Sequence, residues 1–167
     1  EIPPQYSLPK LETEERIRDH LASLGLQEIV TYRLTTPERE ARILPPGESR
    51  DDRPYLHLEN PISKDRVVMR HSLLASLMEI AESNARFRER LALYEIGPVY
   101  LVSEGDPLPE EPLRLAIILS GPRAHRHWSE DSIAAMDFFD IKGILSALFD
   151  QLHLGDVKFE SSTHPSF

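Results

Sequence analysis

Residues 58–77 have the sequence LENPISKDRVVMRHSLLASL, in which a proline turn is followed by a short apolar run and then by helical spacing. The Asn60-Pro61 pair predicts a turn, because proline fixes φ and lacks the N–H that would continue a ladder. Val67–Met69 is short and apolar, which favours a strand. Ser72 is a suitable N-cap for a helix that we expect to reach about Phe87. The stretch therefore predicts a turn, a strand and a long helix in succession.

The residues before this stretch predict a linker, a helix, a strand and a short helix. Residues 1–11 contain three prolines and are interpreted as an extended entry segment. Thr13 is a candidate N-cap for a helix whose apolar residues recur at helical spacing until Gly25. Gln27–Leu34 is rich in β-branched and aromatic residues and predicts a strand. Thr36-Pro37 has the cap-then-proline order of a helix start.

The remaining segments complete a mixed set of helices and strands. Short connections between consecutive strands favour antiparallel pairing. The sequence therefore predicts an α+β fold with an antiparallel sheet flanked by helices. The further expected elements are a short strand at Tyr55–Leu58, strand segments over Leu91–Val102 bent at Gly97-Pro98, a central strand at Leu113–Leu119, a helix at Phe138–Leu152 and a last strand at Val157–Phe159.

The overall charge and composition limit the class of protein. The 167 residues carry a formal net charge of -9, whereas domains that bind nucleic-acid duplexes usually present a basic surface. The chain contains 0 cysteines, which excludes a disulfide framework and a thiolate metal site. No stretch approaches the roughly 20 apolar residues that a membrane helix needs. These features favour a cytoplasmic globular domain without membrane association.

The sequence contains no motif with the spacing of a known catalytic or cofactor site. Gly-rich phosphate loops and the Gly-x-Ser-x-Gly elbow are absent, and we assign no catalytic, cofactor-binding or metal residues. The alternating pair His125 and His127 would need further ligands to hold a metal, so a solvated loop is the preferred interpretation. The same loop is locally basic and holds the single tryptophan, which makes Arg123, Arg126 and Trp128 candidate RNA contacts.

Four segments form an ordered set of motifs along most of residues 12–150. Residues 58–63 form an Asn-Pro-apolar-Ser turn, and residues 68–77 continue with Met-Arg-x-Ser-Leu-Leu. Residues 93–100 have the sequence LYEIGPVY, and Trp128 precedes the sequence DFFDIKG, which begins at Asp137. In kind and in order these segments resemble the bacterial-type phenylalanyl-tRNA synthetase beta subunit.

The resemblance implies a fold like that of class II aminoacyl-tRNA synthetases for residues 12–167, truncated at its C-terminal end. In that family the beta module pairs with the active alpha subunit, and two such pairs form a heterotetramer that ligates phenylalanine to its tRNA. ATP and magnesium are expected for the whole enzyme, and no cofactor is expected in this module. Contact with tRNA is likewise expected through the whole enzyme.

The residue at one expected catalytic position indicates that the module itself does not catalyse a reaction. Active class II enzymes grip the ATP α-phosphate with an arginine after the strand that corresponds to Leu91–Tyr100, since a planar bidentate cation fits that phosphate. Here the position is Leu101, and the following residues 103–112 contain four acids and no base. An acid about 4 Å from a phosphate costs roughly 4 kcal/mol. We therefore expect a scaffold for the alpha subunit; the alternatives are an active class II-like ATP-dependent ligase and an RNA-binding accessory module using residues 122–128.

The resemblance also suggests where subunits would meet, in the first helix and the strand after it. Charged helix faces are often only solvated, and apolar strand residues often serve the core, so these uses compete with an interface role. Arg70 is expected to bond carbonyls or to pair with Glu95 rather than to contact a substrate. Asp137 and Asp140 are assigned to a helix start rather than to acid–base catalysis. The candidate interface residues are Glu15, Arg16, Arg18, Asp19, Ile29, Val30 and Tyr32.

Overall fold

The computed structural model describes residues 8–45, 48, 54–103, 105, 108–125, 128, 133–161 and 163. Within these residues the chain forms four α-helices and five β-strands. The helices are α1 (Pro9–Ser23), α2 (Pro37–Ala41), α3 (Leu74–Asn84) and α4 (Phe138–Gln151). The strands are β1 (Gln27–Glu28), β2 (Leu34–Thr35), β3 (Val68–Met69), β4 (Leu91–Pro98) and β5 (Leu113–Ser120).

β4 lies at the centre of a three-stranded sheet with the order β1-β4-β5. β5 runs antiparallel to β4 along its whole length, from the pair Leu91↔Ser120 to the pair Pro98↔Leu113. β1 runs parallel to β4, and β2 and β3 form a separate antiparallel pair. The predicted α+β class and the antiparallel pairing of the two long strands are confirmed. The parallel β1 strand makes the sheet mixed rather than wholly antiparallel.

The two faces of β4 are buried against different helices. Leu93 packs with Leu77 of α3 on one face. Because side chains alternate along a strand, Tyr94 lies on the opposite face, where it packs with Leu21 of α1 and Leu148 of α4. Full burial of each such side chain stabilises the fold by about 1.5–3 kcal/mol. This two-sided burial explains why β4 is apolar at nearly every position.

The first helix starts earlier than its sequence predicts. α1 begins at Pro9, inside the predicted linker of residues 1–11, of which residues 1–7 lie outside the described part of the chain. Proline suits the first turn of a helix because the N–H groups of that turn have no acceptor within the helix, so the N–H that proline lacks is not needed. Thr13 therefore does not cap the helix; its hydroxyl donates to the Pro9 carbonyl at 2.8 Å. The predicted stop is confirmed, since Gly25 adopts a φ of 82°.

The strand predicted over Gln27–Leu34 is divided between the two sheets. Its first two residues form β1 and its last begins β2, while residues 29–33 belong to neither ladder. In the middle, Thr31 bonds to the side chain of Glu95 instead of to a neighbouring backbone. A side chain that competes in this way with strand pairing interrupts the ladder. We call residues 29–33 the connecting segment.

Several other predicted elements differ from the structure. Leu113–Leu119 is apolar enough for a central strand, but β5 is the edge of the described sheet, and its apolar side chains pack on both faces with the two helical cores. Tyr55–Leu58 contributes one bridge, between His57 and Val68. Val157–Phe159 forms no strand, and α3 ends before Phe87. The predicted helix starts at Thr36-Pro37 and Asp137 are confirmed.

In the part of the chain that the structure describes, none of the helices combines the length and the apolar character needed to cross a membrane.

Candidate functional site

The connecting segment is fixed to the protein at both ends and in the middle. The Ile29 N–H donates to the Tyr94 carbonyl at 2.8 Å, and the Arg33 carbonyl accepts from the Arg70 N–H at 3.0 Å. Between them, the Thr31 hydroxyl donates to Oε2 of Glu95 at 2.7 Å and the Thr31 N–H donates to Oε1 at 3.3 Å. Residues 29–33 are thus held in one course between the two sheets, by backbone hydrogen bonds at both ends and by Glu95 in the middle.

A buried ion pair lies beneath the connecting segment. Nη1 of Arg70 lies 2.7 Å from Oε1 of Glu95, and both side chains are 2% exposed. The guanidinium also donates from Nη1 to the Thr31 hydroxyl at 2.9 Å and from Nε to the Pro98 carbonyl at 3.0 Å. The prediction that Arg70 bonds a carbonyl and pairs with Glu95 is confirmed. Such a charge is tolerated in the interior because Glu95 balances it and because Nε and Nη1 both donate to acceptors.

The glycine of the sheet is part of the same arrangement. A Cβ at Gly97 would collide with Nη2 of Arg70. The absence of a side chain there leaves the volume in which the guanidinium lies. The Glu-Ile-Gly sequence of β4 therefore supplies both the counter-charge and the space for Arg70.

Two large side chains of the connecting segment point away from the protein. Thr31 faces Glu95, and its neighbours Val30 and Tyr32 are 87% and 66% exposed. Ile29 is partly buried against the core that contains α3. Exposed aliphatic and aromatic side chains on a rigid backbone are typical of surfaces that bind another protein. Of the three apolar interface candidates, the structure presents two to solvent and gives the third a core role.

Tyr32 has a cationic neighbour that the sequence analysis did not identify. The Cζ atom of Arg66 lies 3.3 Å from the centroid of the Tyr32 ring. Arg66 follows the turn at Ser63, whose carbonyl accepts the Arg66 N–H at 3.3 Å. The turn was recognisable from Asn60-Pro61, but nothing in the sequence places it beside a residue more than 30 positions earlier. Arginine and tyrosine are enriched among the residues that dominate binding energy at interfaces.

The four charged candidates on α1 divide into two pairs. Arg18 donates to Glu14 and to Glu28, and these hydrogen bonds raise the pKa of Arg18 above its ordinary value. Nη2 of Arg16 donates to the carbonyl of Gln151 at 2.9 Å, at the end of α4. These two arginines connect α1 to the rest of the fold. The other two candidates, Glu15 and Asp19, are exposed.

Two of the three candidate RNA contacts, Arg123 and Trp128, lie in the described part of the chain. Arg123 makes a bidentate pair with Asp140, with distances of 2.7 and 2.9 Å. This pairing lowers the pKa of Asp140, and Asp137 lies 3.4 Å from the same guanidinium. Trp128 is 98% exposed, and Arg126 lies outside the described residues.

The first turn of α4 explains why those carboxylates are present. The Asp137 carboxylate accepts from the Phe139 N–H at 2.8 Å, and the Asp140 carboxylate accepts from the Asp137 N–H at 2.8 Å. The two form a capping box, which satisfies N–H groups that the first helical turn leaves unpaired. Among the described residues no group of histidines and acids is arranged to hold a metal ion.

The position expected to carry a catalytic arginine is occupied by a core residue. Leu101 is 9% exposed and packs with Leu73 and Val99. Its backbone pairs in both directions with Glu110 at 2.9 Å. Leu101 and Glu110 thus form an isolated antiparallel bridge. Parts of the loop between them, residues 104 and 106–107, lie outside the described chain.

A second buried carboxylate supports the residues before α3. Glu40 is 1% exposed and accepts from the backbone N–H groups of His71 and Ser72 at 3.0–3.2 Å. The Tyr55 hydroxyl donates to it at 3.1 Å, and the Tyr55 ring stacks on His71 at 4.0 Å. This network was not recognised from sequence, since a glutamate on a short helix normally faces solvent. A cavity of about 360 Å³ lies between these residues and β5.

Comparison with known proteins identifies relatives over nearly the whole chain. The model of a protein family described as "Phenylalanyl tRNA synthetase beta chain CLM domain" matches residues 2–167. The chain is 34% identical over 155 residues to the phenylalanine–tRNA ligase beta subunit of Syntrophus aciditrophicus, covering 92% of this chain and 19% of the relative. It is 38% identical over 156 residues to that of Symbiobacterium thermophilum, covering 93% of this chain and 17% of the relative. The chain spans about a fifth of the length of these curated relatives.

Solved structures share the fold at lower sequence identity. A crystal structure of pyrrolysyl-tRNA synthetase from Desulfitobacterium hafniense matches with a TM-score of 0.64 and 17% identity, covering 89% of this chain and 48% of that one. A second structure of a pyrrolysyl tRNA synthetase from that organism has a TM-score of 0.63, 18% identity and coverages of 93% and 50%. The predicted class II synthetase-like fold is confirmed by this likeness.

Proposed function

This chain belongs to the family of the phenylalanyl tRNA synthetase beta chain CLM domain, and we propose that it is the part of a phenylalanine–tRNA ligase beta subunit that scaffolds a catalytic alpha subunit. The whole enzyme would be a cytoplasmic assembly of two alpha–beta pairs that uses ATP and magnesium to ligate phenylalanine to its tRNA. In this proposal the module contributes a binding surface and no chemistry of its own.

The observation that carries the proposal is the presentation of Val30 and Tyr32 by the connecting segment. Their exposed side chains flank Thr31, which is anchored to the buried Glu95. A surface whose backbone is already ordered loses less conformational entropy on binding than a mobile loop does. Two exposed apolar side chains on such a backbone are suited to a stable protein partner.

The absence of catalysis from the module rests on Leu101. The class II reaction needs a cation against the α-phosphate, and this position instead holds a leucine packed in the α3 core. Replacing the leucine by arginine would bury an unpaired charge, at a large cost in free energy. The position serves the fold, so catalysis is assigned to the partner subunit.

The proposal is tested by changing the exposed residues in the beta subunit that contains this segment. We expect Val30→Asp and Tyr32→Ala each to weaken binding of the alpha subunit by tenfold or more, since truncation of a central anchor typically costs at least about 1.4–2 kcal/mol. Sedimentation velocity of the mixed subunits gives the dissociation constant. Val30→Asp places a charge where an apolar contact is expected, and unchanged assembly by both variants would contradict the proposal.

Phe139 supplies the matched control. It is 72% exposed, close to the exposure of Tyr32, but lies on the first turn of α4. Phe139→Ala is expected to leave the dissociation constant unchanged. An equal loss of affinity in this variant would show that the effect does not belong to the connecting segment.

A further inference from the structure

Arg66 lies against the exposed ring of Tyr32 in a specific geometry. Its Cζ atom is 3.3 Å from the ring centroid. At this distance a tilted guanidinium would press a nitrogen into the ring, so the group lies nearly flat over it. Stacking therefore orients the guanidinium plane, and its N–H donors point sideways, past the edge of the ring.

These donors have no acceptor among the described residues. Arg66 makes no side-chain hydrogen bond or ion pair within them, although five other arginines of the described chain each pair with a carboxylate, namely Arg18, Arg39, Arg42, Arg70 and Arg123. Arg66 is half-buried and lines a cavity. An oriented guanidinium with free donors binds a carboxylate in two parallel hydrogen bonds.

The surroundings of Arg66 leave room for such a group. A polar cavity of about 390 Å³ is lined by Arg39, Ser63, Asp65 and Arg66. Asp65 adds to the positive shift in the pKa of Arg39 by Coulomb attraction, but the larger cause is the hydrogen bond from Arg39 to Glu79. Arg39 is itself held by Glu79, and Asp65 forms no ion pair with Arg66 among the described residues. The charge of Arg66 remains for an incoming acid.

We propose that the Arg66–Tyr32 stack receives a carboxylate side chain of the alpha subunit, at the edge of the contact made by Val30. The proposal rests on the proposed scaffold function and adds the chemistry of the partner to it. The partner surface would present an aspartate or glutamate beside an apolar residue that covers the connecting segment. Stacking fixes the direction of the hydrogen bonds, so the pair determines how the partner is oriented as well as how strongly it binds.

The test compares variants of Arg66 in the beta subunit, with the alpha subunit as the binding probe. We expect Arg66→Ala to lower the affinity by about tenfold or more, because charge-assisted bidentate pairs are among the stronger polar contacts. Arg66→Lys is expected to lose most of the same affinity, since a lysine keeps the charge but lacks the planar fork. Tyr32→Phe keeps the ring and is expected to bind within about threefold of the unchanged protein.

Lys64 provides a control in the same turn. It is exposed and carries the same charge two residues away, so Lys64→Ala changes the local charge equally without touching the stack. Little change is expected for Lys64→Ala. Equal losses for Lys64→Ala and Arg66→Ala, or full affinity in Arg66→Ala or Arg66→Lys, would overturn the proposal. Loss of binding in Val30→Asp with no loss in Arg66→Ala would overturn the carboxylate pairing alone and leave the scaffold function standing.

Discussion

Arg70 contacts three residues in two separate parts of the chain through one guanidinium. Glu95 and Pro98 belong to β4, and Thr31 belongs to the connecting segment. Its own backbone continues the contact, because the Tyr100 N–H donates to the Arg70 carbonyl at 2.9 Å. The buried charge of Arg70, rather than an apolar contact, therefore fixes the path of the connecting segment at the surface.

Removal of the counter-charge should destabilise the protein strongly. We expect Glu95→Ala to lower the free energy of unfolding by about 3–5 kcal/mol, because it leaves the Arg70 charge buried without its carboxylate. Urea unfolding followed by circular dichroism measures the change. Glu14→Ala, which breaks a partly exposed pair with Arg18, is the control and should cost no more than about 1 kcal/mol. Similar losses in the two variants would show that burial of the pair is not decisive.

At the scale of elements, α2 and α3 are connected by ion pairs centred on Glu79. Oε2 of Glu79 lies 2.6 Å from Arg39, and Oε1 lies 3.0 Å from Arg42. The hydrogen bond from Arg39 is the main reason that the pKa of Glu79 falls below its ordinary value of 4.5. The short helix α2 is therefore fixed to α3 by charge as well as by packing.

The pH dependence of this link has a definite sign. Because the folded-state pKa of Glu79 is lowered, its ionised form stabilises the fold above pH 4.5, and that stabilisation is lost as the pH falls through the folded-state pKa. Glu79→Gln should thus cost on the order of 0.5–1 kcal/mol at pH 7 and nothing in strong acid. Urea unfolding at intervals from pH 7 to pH 3 follows the difference. A cost that stays constant across this range would exclude titration of Glu79 as the cause.

A neighbouring acid on α3 is the control for this measurement. Glu82 is 67% exposed and lies 3.7 Å from Arg42. A loose, solvated pair of this kind contributes little. Glu82→Gln is therefore expected to change the unfolding free energy less than Glu79→Gln does at pH 7.

The sequence predicted elements well where one local pattern decides them. The capped start at Asp137 and the proline start at Thr36-Pro37 depend on neighbouring residues alone, and both are confirmed. The division of the strand after Gln27 depends on a carboxylate more than 60 positions later, which no local pattern reports. β5 lies at the edge of the described sheet and not at its centre as predicted, because a strand with both faces covered by helices is as apolar as a central strand.

The candidate site was predictable to a similar extent. The resemblance led to Val30 and Tyr32, and the chemistry of a lone arginine led to the Arg70–Glu95 pair. The structure places this pair beneath the two exposed side chains. The Arg66 stack could not be predicted, since it joins two distant segments through a surface contact with no pattern of its own. The interface roles themselves remain predictions that binding measurements decide.

At the scale of the whole molecule, the chain has a class II-like fold but lacks the arginine that class II chemistry is expected to need. The sheet and its helices are retained, but Leu101 occupies the expected arginine position in the core. The formal net charge of -9 also disfavours the binding of a polyanion such as ATP or RNA. Both features agree with the proposed scaffold function.

Because the chain lacks this arginine, we predict that it does not bind nucleotide. We expect millimolar ATP with magnesium to leave the melting temperature of this chain unchanged, measured by differential scanning fluorimetry. A ligand present at 100 times its dissociation constant would add about 2.7 kcal/mol of stability, or roughly 5 °C or more for a domain of this size. The alpha subunit under the same conditions is the positive control. A comparable rise for this chain would show that it has a nucleotide site.

The collision that a side chain at Gly97 would cause with Arg70 has an evolutionary consequence. The guanidinium fills the space that a Cβ would need, and Glu95 neutralises the charge that the space admits. A change at any one of the three positions therefore harms the fold unless the other two change with it. Positions 70, 95 and 97 should be inherited as a unit, and single substitutions among them should be purged even where the surface they support has diverged.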